Sequence, residues 1–363
     1  MKKEVISDKQ AISIMILFIT GSSVVLGTAG EAKGDLWLAI IISLICALII
    51  AYVYGRILSL FPEKDFFSIV LYTFGEVFGS VICIGYIWFS FHLAALVLVN
   101  FQYFIETVGL NLTPEIVISI SIMFLVVWAV KEGIEVLGRW SSLFSIVLFC
   151  LIYFTIPFLI PMMDTRNLRP FLYNGIKPVL NATLSTFTFP FAETVMFLGI
   201  LTSLKSKKSY YKVYTLGILL GGAIIFSTAI SEMLVLGPNR YSAYNFPAYA
   251  AVRMINIEEV ITRMEIIVSA VFLIGGFVKI SVCTLVCCKG ISRLFSFEDY
   301  RFLVTPIGIL IIITAISSYG SIMEMSEWIK ETWNYYALLF QVALPIIILI
   351  AGEIKVRHKD KLF

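Results

Sequence analysis

The chain is 363 residues long, 60% hydrophobic and 14% charged, with a formal net charge of +3. An ordinary soluble domain holds about 45–50% apolar and about 25% charged residues, so this composition excludes one and requires lipid as the solvent. The small basic surplus carries no stripe interleaved with aromatics and gives no ground for nucleic acid as a partner.

Crossing a hydrocarbon core about 30 Å thick takes about 20 mostly apolar residues, because a helix rises about 1.5 Å per residue and satisfies its own backbone. Residues 1–10 are charged and lead straight into a full-length span with no small-residue cleavage site, so the first helix is read as its own insertion signal. Apolar runs then recur at 10–30, 36–55, 77–105, 116–130, 140–163, 179–204, 213–236, 266–288, 302–323 and 333–352. They predict an all-α polytopic membrane protein of about ten transmembrane helices in one domain, 1–363, with a short tail at 353–363. The fourth run is short enough to be a buried helix instead.

Basic residues resist translocation and so mark the cytoplasmic loops. With the N-terminus inside, eighteen of the 27 Lys and Arg fall on the cytoplasmic side and eight on the other, and Lys279 sits within the eighth run. Both termini are therefore expected in the cytoplasm.

Two runs depart from regular helix. In the first, small and hydroxyl residues cluster over Gly21, Ser22, Ser23, Val24, Gly27 and Thr28, a stretch able to unwind. In the sixth, Pro190 removes a backbone donor and blocks helical bonding to residue 186. Freed backbone at membrane depth is tolerated only where protein buries it or where it lines a cavity. Breaks in the first helix of each five-helix half, about 10–163 and about 179–352, are the pattern of inverted-repeat transporters that bind substrate between half-helices. Close packing by glycine and a simple proline kink are the competing explanations.

Ionisable residues inside such spans are costly and mark sites by default. His92, Glu106, Glu193, Glu232 and Lys279 qualify. Glu106 and Glu232 lie near the predicted outer boundary and read as interfacial carboxylates, and His92 reads as a donor to a neighbouring carbonyl or hydroxyl. Glu193 and Lys279 are the stronger candidates, either as ligand-binding groups or as one structural ion pair. The six cysteines lie in or beside apolar runs; Cys283 and Cys287 are one turn apart, but with no His or carboxylate beside them they read as packing thiols. No phosphate loop, nucleotide fingerprint or His-Glu metal motif occurs, so neither an enzyme nor a cofactor or metal is expected.

The break at 21–27, the loop Asn167-Leu168-Arg169-Pro170 with Gly175 and Pro178, the stretch Phe191-Ala192-Glu193-Thr194-Val195-Met196-Phe197-Leu198, the Lys-rich turn at 205–208 and the loop from Phe246-Pro247-Ala248 to Arg263 resemble one family. It is that of the B subunits of bacterial spore germinant receptors, the GerAB-like spore germination permeases of the amino acid-polyamine-organocation superfamily. The resemblance implies a LeuT-like five-plus-five inverted repeat with helices one and six broken at mid-membrane. It implies further a location in the spore inner membrane and sensing of a small germinant such as an amino acid. The expected partners are a membrane-embedded A subunit and a lipoprotein C subunit. An amino-acid permease of the same superfamily is the alternative.

On that reading a zwitterion would place its carboxylate on amides near Ser22, Ser23 and Val24. Its ammonium would meet carbonyls around Phe187, Thr188 and Phe189 or the Glu193 carboxylate, with the phenylalanines as an apolar wall. Lys279 follows Gly275-Gly276 in the helix that supplies sodium ligands in sodium-coupled relatives of the fold, so its ammonium is expected to stand in for that cation against the first helix.

Overall fold

A computed structural model describes residues 4–62, 64–109, 112–255 and 263–360. Residues 256–262 of the loop motif, and Lys2, Lys3 and Lys361 of the basic count, lie outside them. Among the described residues the chain is helical, with one isolated parallel bridge between Ile6 and Leu204.

The helices in chain order are α1 (Asp8–Leu26), α2 (Leu36–Leu60), α3 (Phe66–Val108), α4 (Glu115–Glu132), α5 (Ile134–Leu159), α6 (Ile176–Thr186), α7 (Tyr210–Leu236), the short α8 (Pro238–Ala243) and α9 (Pro247–Arg253), then α10 (Glu265–Leu294), α11 (Arg301–Ser317), α12 (Ile322–Trp328), α13 (Asn334–Leu338) and α14 (Leu344–Asp360). Two π turns, Ile329–Trp333 and Leu339–Ala343, join α12, α13 and α14 into one long rod. Among the described residues seven helical stretches are long and apolar enough to cross a membrane. The shorter α4 and α11 and the interrupted sixth segment bring the number to the ten expected.

Boundaries differ where capping chemistry overrides the apolar run. The third helix begins at Phe66, not near 77, because the Asp65 side chain accepts from Ser68 N–H and so satisfies a first-turn donor. Gly75, at φ +80°, then bends it. The ninth predicted run is divided: α11 stops at Ser317, and the Ser321 side chain caps α12 by accepting from Glu324 N–H.

At the centre, α1 packs against α5, α7 and α10, and α10 packs in turn on α3. Where α1 crosses α10, Gly21 and Gly275 touch through their backbones, and a Cβ on either would run into the other. Small residues at a membrane helix crossing permit this approach.

At the end of the bundle that carries the N-terminus, the chain is clamped. Ile6 exchanges backbone bonds with Ser203 and Lys205 at 2.8 and 2.9 Å. Glu4 accepts from Arg301 at 3.0 Å and from the Tyr300 hydroxyl at 2.9 Å, and it lies 3.5 Å from Lys289 Nζ. Burial, then the Glu4 charge, pushes the Tyr300 hydroxyl above its ordinary pKa, which keeps it a donor to that carboxylate.

Candidate functional site

The two interruptions are real, but one lies further along than the residues suggested. α1 is regular through Gly21, Ser22, Ser23 and Val24 and ends at Leu26; the backbone leaves the helix at Gly27, φ +73°, and Ala29, φ +57°. The amides of Ser22 to Val24 therefore lie within helix, where each bonds a carbonyl four residues back, and are not available to a ligand carboxylate. The physical reason is that Gly21 is used for contact with α10. A missing side chain permits unwinding and close packing alike, and here it serves packing.

In the sixth segment the break falls at the expected place. α6 ends at Thr186, Phe189 is extended (φ −140°, ψ 113°), and a 3-10 helix runs over Ala192–Gly199. Its loosened backbone is largely claimed by protein. Phe187 C=O accepts from Ala192 N–H. Thr188 C=O accepts from Gln341 Nε2 at 2.9 Å and Thr194 C=O from the Tyr214 hydroxyl at 3.5 Å, while the Tyr54 hydroxyl, which donates to Gln341 C=O at 2.5 Å, also lies 3.3 Å from Ala192 C=O. The Thr188 hydroxyl donates to Asn334 Oδ1 at 2.6 Å. At the end of α1 the Tyr241 hydroxyl does the same work, accepting from Thr28 N–H and donating to Thr28 C=O, both at 2.9 Å. Buried backbone groups are nearly always paired, and here four tyrosine and glutamine side chains pair them.

Between the breaks lies the ion pair. Lys279 Nζ is 2.5 Å from Glu193 Oε2 and 3.3 Å from Ser22 Oγ, and both charged side chains are completely buried. The ammonium also lies over the rings of Phe189, at 4.5 Å, and Phe18, at 5.3 Å, whose π faces favour a cation. Lys279 thus ties α10 to α1 and to the sixth segment through side chains, one turn beyond the Gly21–Gly275 crossing. It is paired with Glu193, and its hydrogen-bond partner on α1 is the Ser22 hydroxyl.

A cavity of about 330 Å³ adjoins this pair, within the range of about 300–1,000 Å³ typical of small-molecule sites. Its walls are the unwound end of α1 over 26–31, α3 at Leu93, Leu96, Val97 and Asn100, the sixth segment, the loop 241–247 and the α12 rod. Of the expected residues, Gly27, Phe189 and Glu193 line it. Gly21, Ser22, Ser23, Phe187 and Thr188 are buried but do not line it, and Val24 borders a separate small cavity. Sequence reasoning passed over Asn100 on α3 and Lys330 and Trp333 in the π turn Ile329–Trp333, all outside the two breaks.

What the cavity offers is side-chain chemistry. Glu193 Oε1, Thr28 Oγ1, Thr186 Oγ1 and Trp333 Nε1 are buried, belong to lining residues and have no hydrogen-bond partner. Orphaned buried polar atoms are rare in folded proteins and require explanation. Together they supply acceptors and one fixed donor, with Lys330 and Glu31 as charged groups on the wall. His92, by contrast, stacks on Trp88 and stands 3.3 Å from the Tyr336 hydroxyl, and it does not line this cavity.

The model of the spore germination protein family matches residues 5–320. The chain is 28% identical to spore germination protein KB of Bacillus subtilis over 99% of its own length and 98% of that protein's, and 24% identical to the putative spore germination protein YfkT of the same organism over 88% and 87%. In fold it is similar to MhsT in complex with L-phenylalanine, with a TM-score of 0.66, 12% identity and coverage of 97% and 99% of the two chains. It is also similar to Mhp1, a nucleobase-cation-symport-1 family transporter, with a TM-score of 0.68, 12% identity and coverage of 96% and 78%. The chain is an integral membrane protein with the LeuT-type transporter fold, and it belongs to the spore germination protein family.

Proposed function

We propose that this chain is the permease-like B subunit of a spore germinant receptor, and that it senses a small zwitterion, an amino acid, in the cavity between the two broken helices. The carrying observation is the cavity beside Glu193, whose Oε1 is left without a partner while Oε2 holds Lys279. An ammonium group placed there would satisfy Oε1 and share its charge. The Thr28 and Thr186 hydroxyls, Trp333 Nε1 and Lys330 then remain for a carboxylate, since an acid needs donors and a cation where an amine needs acceptors. Leu93, Leu96, Val97 and Phe189 supply an apolar wall for a side chain.

The pair Lys279–Glu193 bears on the choice between sensing and transport. It fills the contact between α10 and α1 with a charge covalently attached to the chain, which favours a ligand response that needs no sodium at that point. In this reading the protein sits in the spore inner membrane with both termini in the cytoplasm, and it acts with a membrane-embedded A subunit and a lipoprotein C subunit. The likeness of the fold to solved transporters favours a second reading, an amino-acid permease that carries its ligand across. Purified protein in liposomes separates the two, given a panel of labelled amino acids and sugars: binding without uptake supports the receptor, uptake at the rate of binding supports the permease.

A further inference from the structure

A second, smaller cavity of about 30 Å³ lies between α1, α5, α7, α9 and α10, and Glu232 is among the residues that line it. The sequence placed Glu232 at the membrane boundary, yet it is 4% exposed and its Oε2 has no hydrogen-bond partner. Among the described residues it enters no ion pair. An unpaired carboxylate in such a place must be compensated or neutralised.

The remaining polar groups of the wall settle what kind of ligand fits. They are the hydroxyls of Thr155, Thr228 and Ser231. Each donates its single proton to a carbonyl of its own helix: Thr155 to Ile152 at 2.8 Å, Thr228 to Ile224 at 3.0 Å and Ser231 to Ser227 at 2.7 Å. A hydroxyl that has spent its proton presents only lone pairs. The rest of the wall is apolar, with Val24 and Val25 from α1 and Val268 and Val271 from α10. The cavity therefore offers one carboxylate and neutral oxygens, and no donor.

We infer that this cavity is a site for one alkali-metal cation, held by the Glu232 carboxylate with the Thr155, Thr228 and Ser231 oxygens. Hard oxygen donors suit such an ion, and the volume exceeds the roughly 10–15 Å³ that one water-sized sphere needs. A single negative charge matches a monovalent ion; a divalent one would leave an uncompensated charge in an apolar surrounding. An anion finds no donor there. The site is separate from the ligand cavity and contains neither Glu193 nor Lys279. By joining α5 to α7 around one ion, against the valines of α1 and α10, it would make the packing of the bundle, and hence its ligand response, depend on sodium or potassium.

The test uses the purified full chain. Equilibrium binding of radioactive sodium, with potassium as competitor, is measured beside thermal melts in sodium, potassium and choline chloride at equal ionic strength. The expected result is saturable binding of about one ion per chain and a melting temperature about 2 °C or more higher in sodium or potassium than in choline. Glu232→Gln should abolish both effects, and Thr228→Val, which keeps the shape and removes one oxygen, should weaken binding several-fold while the choline melt stays within a degree of the parent. Equal melts in all three salts with no saturable binding would overturn the inference and leave Glu232 as a protonated carboxyl. Binding that survives Glu232→Gln unchanged would place the ion elsewhere and overturn it equally. Amino-acid binding beside Glu193 is measured separately in sodium chloride, so that a failure of the ion site is distinguished from a failure of the ligand site.

Discussion

Gly21 and Gly275 meet backbone to backbone where α1 crosses α10, and this contact sets the geometry of everything beside it. Ser22 is the next residue on α1, and Lys279 is one helical turn beyond Gly275. Bringing the two backbones together at the glycines therefore brings the Lys279 ammonium to the Ser22 hydroxyl at 3.3 Å and on to Glu193 at 2.5 Å. Substitution with alanine should force the helices apart. For Gly21→Ala or Gly275→Ala, overpacking of this kind costs about 1–3 kcal/mol, and thermal melts in detergent should fall by several degrees for either variant. A parent-like melt in both would mean that the crossing is not tightly packed.

The buried pair makes a second forecast. Lys279→Met leaves Glu193 as an uncompensated buried charge, and breaking such a pair costs about 3–5 kcal/mol. Glu193→Gln similarly strands Lys279. The double variant, Lys279→Met with Glu193→Gln, should recover much of the stability that either single change loses, because no charge is then left unpaired. Lys279→Arg should rescue poorly, since a guanidinium fork is wider than an ammonium. Melting the parent and the four variants side by side decides it, and additive losses in the double variant would contradict pairing.

At the opposite end, Glu4 gathers Arg301, Tyr300 and Lys289 and holds the N-terminal segment against the turn at 203–205. Hydrogen bonds to charged groups contribute about 1.5–3 kcal/mol. Glu4→Gln should therefore speed hydrogen exchange at the Ile6 and Lys205 amides about ten-fold or more, with the amides of α2 unchanged. Unaltered exchange at both would show that the backbone pairing alone closes this end.

The orientation argued from basic residues is open to direct labelling. In a background with the exposed Cys150 replaced by serine, a cysteine at Glu327 should react with an impermeant maleimide added outside intact cells, whereas one at Arg293 should react only after permeabilisation. Outside labelling at Arg293 would invert the topology.

The apolar segments, the break at Pro190 and the suspicion attached to Glu193, Lys279 and Gly275-Gly276 were legible in the sequence, because each is a local property: a run of apolar residues, a missing donor, a charge where charges are costly. The end of α1 was not. Glycine at 21 and glycine at 27 look alike in sequence, and only the contact with Gly275 shows that the first packs while the second turns the chain. Nor could the sequence show that Tyr54, Tyr214, Tyr241 and Gln341 occupy the loosened backbone, since these partners lie up to 213 residues from the groups they bind. For that reason the ligand groups we propose are not backbone amides near Ser22 but side chains such as Thr186, Glu193 and Trp333. The last two stand on different helices, and nothing local links them.

The central claim, a small zwitterion held in the cavity between the breaks, is tested most directly by equilibrium binding of labelled amino acids to the purified chain and to a variant in which the cavity is filled. Ser185 lines the cavity and is only partly buried, so Ser185→Trp should occupy the space while the bundle stays folded, as a parent-like melt would verify. The account predicts that at least one amino acid binds the parent saturably, and that Ser185→Trp lowers its affinity at least ten-fold. Binding of the same amino acid with equal affinity by both proteins would contradict it.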